Sequence, residues 1–204
     1  MTIFLYEHDI PDNLEFPNGV AVDTETLGLN PLRDRVCVVQ LSSGDGNAHL
    51  VQIREGQYDA PNLRKLIGDT SVTKIFHYAR FDMAIFKHYF DVEAMPVFCT
   101  KIASKLTRTY TNRHGLKDVV SELAGVTLDK QQQSSDWAAE ELSEAQQNYA
   151  ASDVLYLHKV KAGLEERLER EGREALAQGC FDFLPTQIEL DLNGWGDDNI
   201  FSHS

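Results

Sequence analysis

The sequence predicts an α/β protein with a mixed sheet of five to six strands flanked by helices. Short β-rich runs separated by turn residues open the chain, strand and helix patterns alternate in the middle, and the pattern is helical from about Thr100 onward. The length of 204 residues suits one domain, which can bury about 70% of its unfolded surface and therefore needs no disulfide or structural metal to fold.

The strand predictions rest on short runs rich in β-branched residues and bounded by turn residues. Four such runs precede any helical pattern, and their spacing predicts an antiparallel meander. Two more runs follow, each close to a helical pattern. The predicted strands are 3–6, 20–23, 36–42, 49–53, 74–77 and 97–99.

Helical periodicity appears in several short stretches and one long one. The long stretch predicts a single helix from about Ser143 to Glu171, because apolar residues recur along it at helical spacing. The short stretches are 60–67, the residues around 81–86, 102–106 and 116–123.

The C-terminal residues are predicted to form a helical extension. A helix is expected to begin near Leu184 and to end near Gly194, although Ile188, Leu190 and Leu192 also alternate as in a strand. The apolar Trp195 and Phe201 favour a tail that packs on the domain. The expected organisation is therefore a single domain over 1–204, with a core over about 20–161 and an extension over about 172–204.

Composition and charge restrict the class of protein. The chain has 32 acidic and 19 basic residues and a formal charge of −13, which argues against coating duplex DNA by charge alone. No apolar run approaches the roughly 20 residues of a membrane span, and the N-terminus lacks signal-peptide features, so a cytoplasmic protein without membrane contact is expected. Three widely separated cysteines, Cys37, Cys99 and Cys180, predict reduced thiols.

Acidic residues lie at strand ends and in helices in a pattern typical of metal sites. Asp23 and Glu25 end an apolar strand and share a face, because strand side chains repeat every second residue. Such a pair is costly unless a cation lies between the carboxylates, and Mg²⁺ is the usual ion for oxygen ligands. Asp82 opens a helix after another strand, and Tyr149 and Asp153 share a helical face. Helix capping or surface charge could explain each acid alone; their order and context favour a metal site.

These segments resemble the three exonuclease motifs of the ribonuclease D family, in the tyrosine subgroup of the DEDD superfamily. Segments 128–130, 135–137 and 147–157 also fit the family pattern, and the resemblance covers about 20–161. The histidine subgroup would carry its histidine where Asn148 stands. The resemblance implies a ribonuclease H-like fold, 3′-to-5′ hydrolysis of nucleic acid with two divalent ions, Mg²⁺ or Mn²⁺, and a nuclease domain without the family's C-terminal helical accessory domains.

The resemblance also implies catalytic roles. Asp23, Glu25 and Asp153 would bind the metal that activates water. Asp23 and Asp82 would bind the second metal, which stabilises the departing 3′ oxygen. Tyr149 would orient the attacking water through its hydroxyl, although a tyrosine at this position could also be only a core aromatic.

Five further residues are implied at the 3′ end of the substrate. Thr24 would contact the sugar and Leu27 the terminal base, with Gly28 beside them; an ordinary loop that packs Leu27 into the core is the alternative. His77 could contact the terminal nucleotide or be a structural residue. Arg80 could pair with a phosphate or with a neighbouring acid.

A basic strip without any acid runs from Lys101 to Lys117 and reverses the overall sign of charge. We expect it to follow the backbone of a single strand, with Tyr110 available for base stacking; a solvated helix face is the alternative. The cations of the strip are Lys101, Lys105, Arg108, Arg113 and Lys117.

The sequence therefore favours a metal-dependent 3′–5′ exoribonuclease that releases nucleoside 5′-monophosphates from single-stranded RNA 3′ ends. Two alternatives stay open: a 3′–5′ DNA exonuclease with the same chemistry, and a non-catalytic nucleic-acid-binding module. A DNA exonuclease would differ from an RNA exonuclease in making no use of the 2′-hydroxyl of the substrate, and no residue of the sequence decides between the two. The natural substrate, the choice between Mg²⁺ and Mn²⁺ and the oligomeric state are open as well.

Overall fold

The computed structural model describes residues 1–129, 131–132 and 134–203. In this part of the chain six strands form one sheet: β1 Ile3–Glu7, β2 Val20–Thr26, β3 Val36–Ser42, β4 Ala48–Gln52, β5 Lys74–Phe76 and β6 Val97–Cys99. Their order across the sheet is β1-β4-β3-β2-β5-β6, with both parallel and antiparallel pairs. The predicted mixed sheet is confirmed, and β2 lies inside it.

The predicted antiparallel meander is right for three strands and wrong for the first. β2, β3 and β4 pair antiparallel, whereas β1 pairs parallel to β4, with Ile3 opposite Ala48 and Glu7 opposite Gln52. The loop over 8–19 carries the chain from the sheet edge to its interior, so β1 and β2 are neighbours in sequence but not in the sheet. β5 and β6 continue the sheet in parallel on the other side of β2.

Helices cover both faces of the sheet. The predicted long helix is wrong: it breaks at Tyr156 into two helices. The first begins at a capping box between Ser143 and Gln146 and packs on the sheet, while the second packs on other helices. The break therefore lets one stretch of apolar periodicity serve two different surfaces. The helices are α1 Pro61–Gly68, α2 Ala79–Phe90, α3 Thr100–Thr107, α4 Leu116–Ala124, α5 Glu144–Leu155, α6 Leu157–Arg170 and α7 Glu174–Leu190.

Two apolar clusters hold these layers together. The larger one joins β2, β3 and β5 to most of the helices. The smaller one lies between α5 and the strands β3 and β4, and it includes the buried Trp137 and Ala150. This second cluster fixes α5 against the sheet. Cys37 and Cys99 are buried and Cys180 is partly exposed, all as free thiols.

The C-terminal residues form more helix than predicted. α7 begins at Glu174 rather than near Leu184, and a π-helical turn over Asp191–Trp195 follows it, with a kink at Gly194 where φ is 99°. α7 packs against α2, α3 and β6. Among the described residues, no helix combines the length and hydrophobicity that a membrane span requires.

Candidate active site

The strand β2 delivers the first two carboxylates. Its first three residues are fully buried, and Asp23 and Glu25 follow where the strand becomes partly exposed. Successive side chains point to opposite faces of the sheet, so Thr24 turns away from these two acids. Its hydroxyl donates a 2.7 Å hydrogen bond to Asp82 Oδ1 on α2. One short strand thus connects the site to helices on both faces.

Three of the predicted carboxylates converge. Asp23, Glu25 and Asp153 each offer one oxygen, and these oxygens lie within 4.8 Å of one another. Asp153 comes from α5 and is only 9% exposed. Asp82 is also buried, but it stands outside this group of three and is held by Thr24. The structure therefore brings three acids together, with the fourth beside them.

The acids lie in surroundings that disfavour their charge. Burial raises the pKa of Asp23 to about 7, and burial together with the charges of the neighbouring acids raises the pKa of Glu25 to about 10. Burial, and after it the charge of Asp23, raises the pKa of Asp82 and of Asp153 well above the usual range. Among the described residues, no lysine, arginine or histidine forms an ion pair with the four.

This donor set fits a hard divalent cation. The ligand atoms are all carboxylate oxygens, which Mg²⁺ and Mn²⁺ prefer. A cation among the acids would favour their ionised forms and so offset the repulsion that raises their pKa values. Asp23, Glu25 and Asp153 could hold one ion, and Asp23 with Asp82 could hold a second.

Tyr149 lies one turn before Asp153 on α5 and is half-buried. Its ring packs against the ring of Trp137, with 5.9 Å between centroids. Burial, followed by the charges of Asp153 and Glu25, raises the pKa of Tyr149 above its ordinary value of 10. The phenol therefore stays protonated at neutral pH, and it can donate a hydrogen bond but is a poor base.

The loop after β2 exposes an apolar side chain beside the acids. Leu27 is 53% exposed, which excludes the alternative that it packs into the core. Gly28 lies close to Asp34: a Cβ at Gly28 would come within 2.3 Å of the Asp34 carboxylate, so a side chain there would have to displace that carboxylate. The Thr24 hydroxyl hydrogen is engaged by Asp82, so Thr24 could contact a sugar only as an acceptor or through its backbone.

His77 and Arg80 both have protein partners. His77 Nδ1 lies 2.8 Å from Thr100 Oγ1, and burial, with the charge of Lys101, lowers the pKa of His77 to about 3. A neutral, hydrogen-bonded imidazole agrees with the alternative that His77 is a structural residue and does not contact the terminal nucleotide. Arg80 pairs with Asp191 rather than presenting a free guanidinium to a phosphate. No sequence signal predicted this acid, because 111 positions separate the two residues.

The basic strip is shorter than predicted. Arg108 is 2% exposed and hydrogen-bonds Glu122 Oε2, because α3 ends at Thr107 and the next side chain turns inward. The hydroxyl of Tyr110 also donates to Glu122, although the ring is exposed. Lys101 Nζ lies 4.2 Å from the centre of the Tyr78 ring. The cations that stay partly or fully exposed are Lys101, Lys105, Arg113 and Lys117.

Comparison with known proteins identifies the family. The family described as 3′–5′ exonuclease matches residues 8–169. Ribonuclease D of Acidiphilium cryptum is 40% identical over 162 residues, which are 79% of this chain and 41% of that protein. The chain thus spans less than half the length of the curated ribonuclease D relatives it matches.

Solved structures extend the similarity to the whole chain. Brucella melitensis NrnC with bound Mg²⁺ is 61% identical, covers 100% of both chains and has a TM-score of 0.94; a second structure of that protein is bound to pGG. Escherichia coli RNase D is 28% identical and covers 85% of this chain and 45% of its own, with a TM-score of 0.74. The chain belongs to the 3′–5′ exonuclease family.

Proposed function

We propose that the chain is a metal-dependent 3′–5′ exoribonuclease that acts on short single-stranded RNA and releases nucleoside 5′-monophosphates. The observation that carries the proposal is the convergence of Asp23, Glu25 and Asp153 in surroundings that raise their pKa values. Clustered, desolvated acids that form no ion pair with the part of the chain that the structure describes are unfavourable for folding alone, which supports a functional reason for them.

The residues of the chain divide the work. Bound divalent ions would lower the pKa of a water molecule and stabilise the charge on the departing 3′ oxygen. Asp23, Glu25 and Asp153 would hold the first ion, and Asp23 and Asp82 would hold the second. Tyr149, protonated at neutral pH, donates its hydroxyl hydrogen bond to the attacking water and orients it.

Two observations support a short substrate. The NrnC relative, similar over the full length of both chains, was solved bound to pGG. The formal charge of −13 also repels long polyanions from most of the surface.

Leu27, exposed on the loop after β2, lies against the terminal base, and the basic strip contacts the phosphates of any longer strand.

The test compares the 5′-phosphorylated dinucleotide pGG, a 5′-labelled single-stranded RNA and its DNA counterpart, with Mg²⁺ or Mn²⁺ and with chelator. We expect loss of one nucleotide at a time from the 3′ end, fastest on pGG, and none with chelator or in Asp153→Asn. Asp91→Asn is the matched control, because Asp91 belongs to a second Asp-x-Glu sequence on the surface.

Each outcome has a clear meaning. Faster cleavage of DNA than of RNA would change the polymer and keep the chemistry. Equal rates per nucleotide on pGG and on the longer RNA would remove the short-substrate part of the proposal. A folded, metal-loaded protein that shortens none of the three would overturn the enzyme reading and favour a binding module.

A further inference from the structure

The C-terminal turn, residues 191–196, is hydrogen-bonded to α2, the helix that carries Asp82. Arg80 Nε donates a 2.5 Å hydrogen bond to Asp191 Oδ2, and its Nη2 donates to Asp191 Oδ1 at 2.6 Å and to the Gly196 carbonyl at 2.9 Å. The two oxygens of Asp191 are thus bound by the planar fork of Arg80, the strongest geometry for this pair of side chains.

Arg80 lies in the first turn of α2, two residues before Asp82. Asp82 in turn accepts the Thr24 hydroxyl from β2. The N-terminal end of α2 is therefore held from two sides, by the strand that carries Asp23 and by the C-terminal turn. A shift of this end relative to β2 would change the distance between the carboxylates of Asp23 and Asp82.

The C-terminal partner is itself fixed. Asp191 has a side chain only 12% exposed, and Gln187 Nε2 donates a 2.9 Å hydrogen bond to its Oδ1. Gly194, at φ 99°, kinks the chain, and the Gly196 carbonyl faces Arg80 just beyond this kink. A side chain at Gly194 would be strained in that conformation. The groups that accept hydrogen bonds from Arg80 are therefore oriented by contacts within the C-terminal residues themselves.

These contacts leave Arg80 poorly suited to bind substrate. Three of its five N–H groups already have acceptors, and the carboxylate of Asp191 offsets its charge. A phosphate would have to compete with this preorganised carboxylate.

We infer that Arg80 is a positioning residue: through Asp191 and Gly196 it uses the C-terminal turn to fix Asp82 relative to Asp23. The inference deepens the proposed function and rests on it for the activity readouts. It gives the residues beyond the family match, which ends at 169, a part in the active site.

The decisive variants are Arg80→Gln and Asp191→Asn, assayed on pGG. We expect both to lower kcat by about ten- to hundredfold, because small displacements of catalytic groups have effects of that size. KM for pGG should change little, and both variants should need more Mg²⁺ for half-maximal rate and for thermal stabilisation. Arg80→Lys, which keeps the charge and loses the fork, should recover part of the rate.

A phosphate-binding role for Arg80 predicts a different pattern. Arg80→Gln would then raise KM, while Asp191→Asn would leave the rate unchanged or improve binding by releasing the guanidinium. Divergence of the two variants would overturn the inference.

Controls separate this inference from the proposed function. Lys87 and Glu189 form an ion pair of 3.2 Å between the same helices, α2 and α7, so Lys87→Gln should leave kcat unchanged. Amide hydrogen exchange in residues 79–83 should increase in Asp191→Asn and not in Lys87→Gln, whether or not the protein is active. Unchanged exchange in Asp191→Asn would contradict the inference that the C-terminal turn holds α2 in place. An inactive wild-type protein, together with increased exchange in Asp191→Asn, would contradict only the proposed function. Should Arg80→Gln fail to fold, Asp191→Asn alone decides.

Discussion

Glu25 shares its site with two further carboxylates, Asp23 and Asp153, and burial is the main reason that its pKa rises to about 10. Without a cation, Glu25 is therefore protonated at neutral pH. Asp23, with a pKa of about 7, is only partly ionised. A divalent ion exchanges these protons for metal–oxygen bonds, so metal binding should release protons and strengthen as pH rises.

The same pKa shifts predict how pH changes the stability of the metal-free protein. A carboxyl group with a raised pKa binds more protons folded than unfolded, so stability falls as pH rises from the unfolded pKa, about 4, towards the folded value. For Asp23 and Glu25 that window extends from about pH 4 to about 7 and 10.

We therefore predict that Asp153→Asn stabilises the protein in chelator, and more at pH 8 than at pH 5. A gain of about 1 kcal/mol raises Tm by roughly 2–4 °C at this size. Mg²⁺ should stabilise the wild type at pH 8 and the variant much less. Thermal unfolding measures both effects, with Asp91→Asn as the control. A pH-independent difference between wild type and Asp153→Asn would contradict the desolvation argument.

The Tyr149 hydroxyl can be tested separately from its ring. Tyr149→Phe keeps the ring packed against Trp137 and removes only the hydroxyl. We expect kcat to fall by about ten- to hundredfold, with unchanged stabilisation by Mg²⁺, because the hydroxyl orients water and does not hold metal. Initial rates and thermal shifts measure this, and Tyr58→Phe, in the aromatic cluster with Tyr89, is the control. Unchanged kcat would remove Tyr149 from the reaction.

At the scale of elements, β2, α2 and α5 each carry part of the site, and each is positioned by a different contact. β2 pairs with β3 and β5 in the sheet interior. α5 is held by its capping box and by the small apolar cluster around Trp137. α2 is held by the Thr24–Asp82 hydrogen bond and by the C-terminal turn. The site therefore depends on three separate packing surfaces.

The basic strip on and after α3 makes a prediction at this scale. Replacement of Lys101, Lys105 and Arg113 with Gln should raise KM for longer RNA and flatten its dependence on salt, because fewer counterions are displaced. KM for pGG should rise less, since a dinucleotide reaches fewer cations. Arg64→Gln with Lys65→Gln, on α1, is the control because α1 carries none of the site residues. If the dependence of KM on salt concentration does not change, the basic strip is a solvated surface that does not contact RNA.

Much of this architecture is readable from local sequence, and the errors have physical causes. The strands and the Asp-x-Glu at the end of β2 follow from short-range patterns. The pairing of β1 with β4 and the break at Tyr156 do not, because both depend on contacts between distant elements. The spacing of Lys101, Lys105 and Arg108 would place all three on one helical face, but α3 ends at Thr107, one residue before Arg108. The hydrogen bonds between the buried Arg108 and Glu122 leave no sequence signal, because they join residues of different elements.

Over the whole molecule, acidic residues outnumber basic ones, but the two signs of charge are not evenly distributed. The chain carries 32 acidic against 19 basic residues, and four of the acids belong to the candidate site. Metal binding would reduce the formal charge, and the basic strip gives the surface one region of opposite sign. The similarity to NrnC extends over both whole chains, C-terminal helix included.

The proposed function requires that Asp23, Glu25, Asp82 and Asp153 form one two-metal centre. A crystal structure with Mn²⁺ and a nucleoside monophosphate, with anomalous scattering recorded at the manganese edge, tests this directly. We predict two peaks about 3.5–4 Å apart among these carboxylates, with the Tyr149 hydroxyl facing the phosphate. A single manganese peak, or no peak at this site at saturating Mn²⁺, would contradict a two-metal centre.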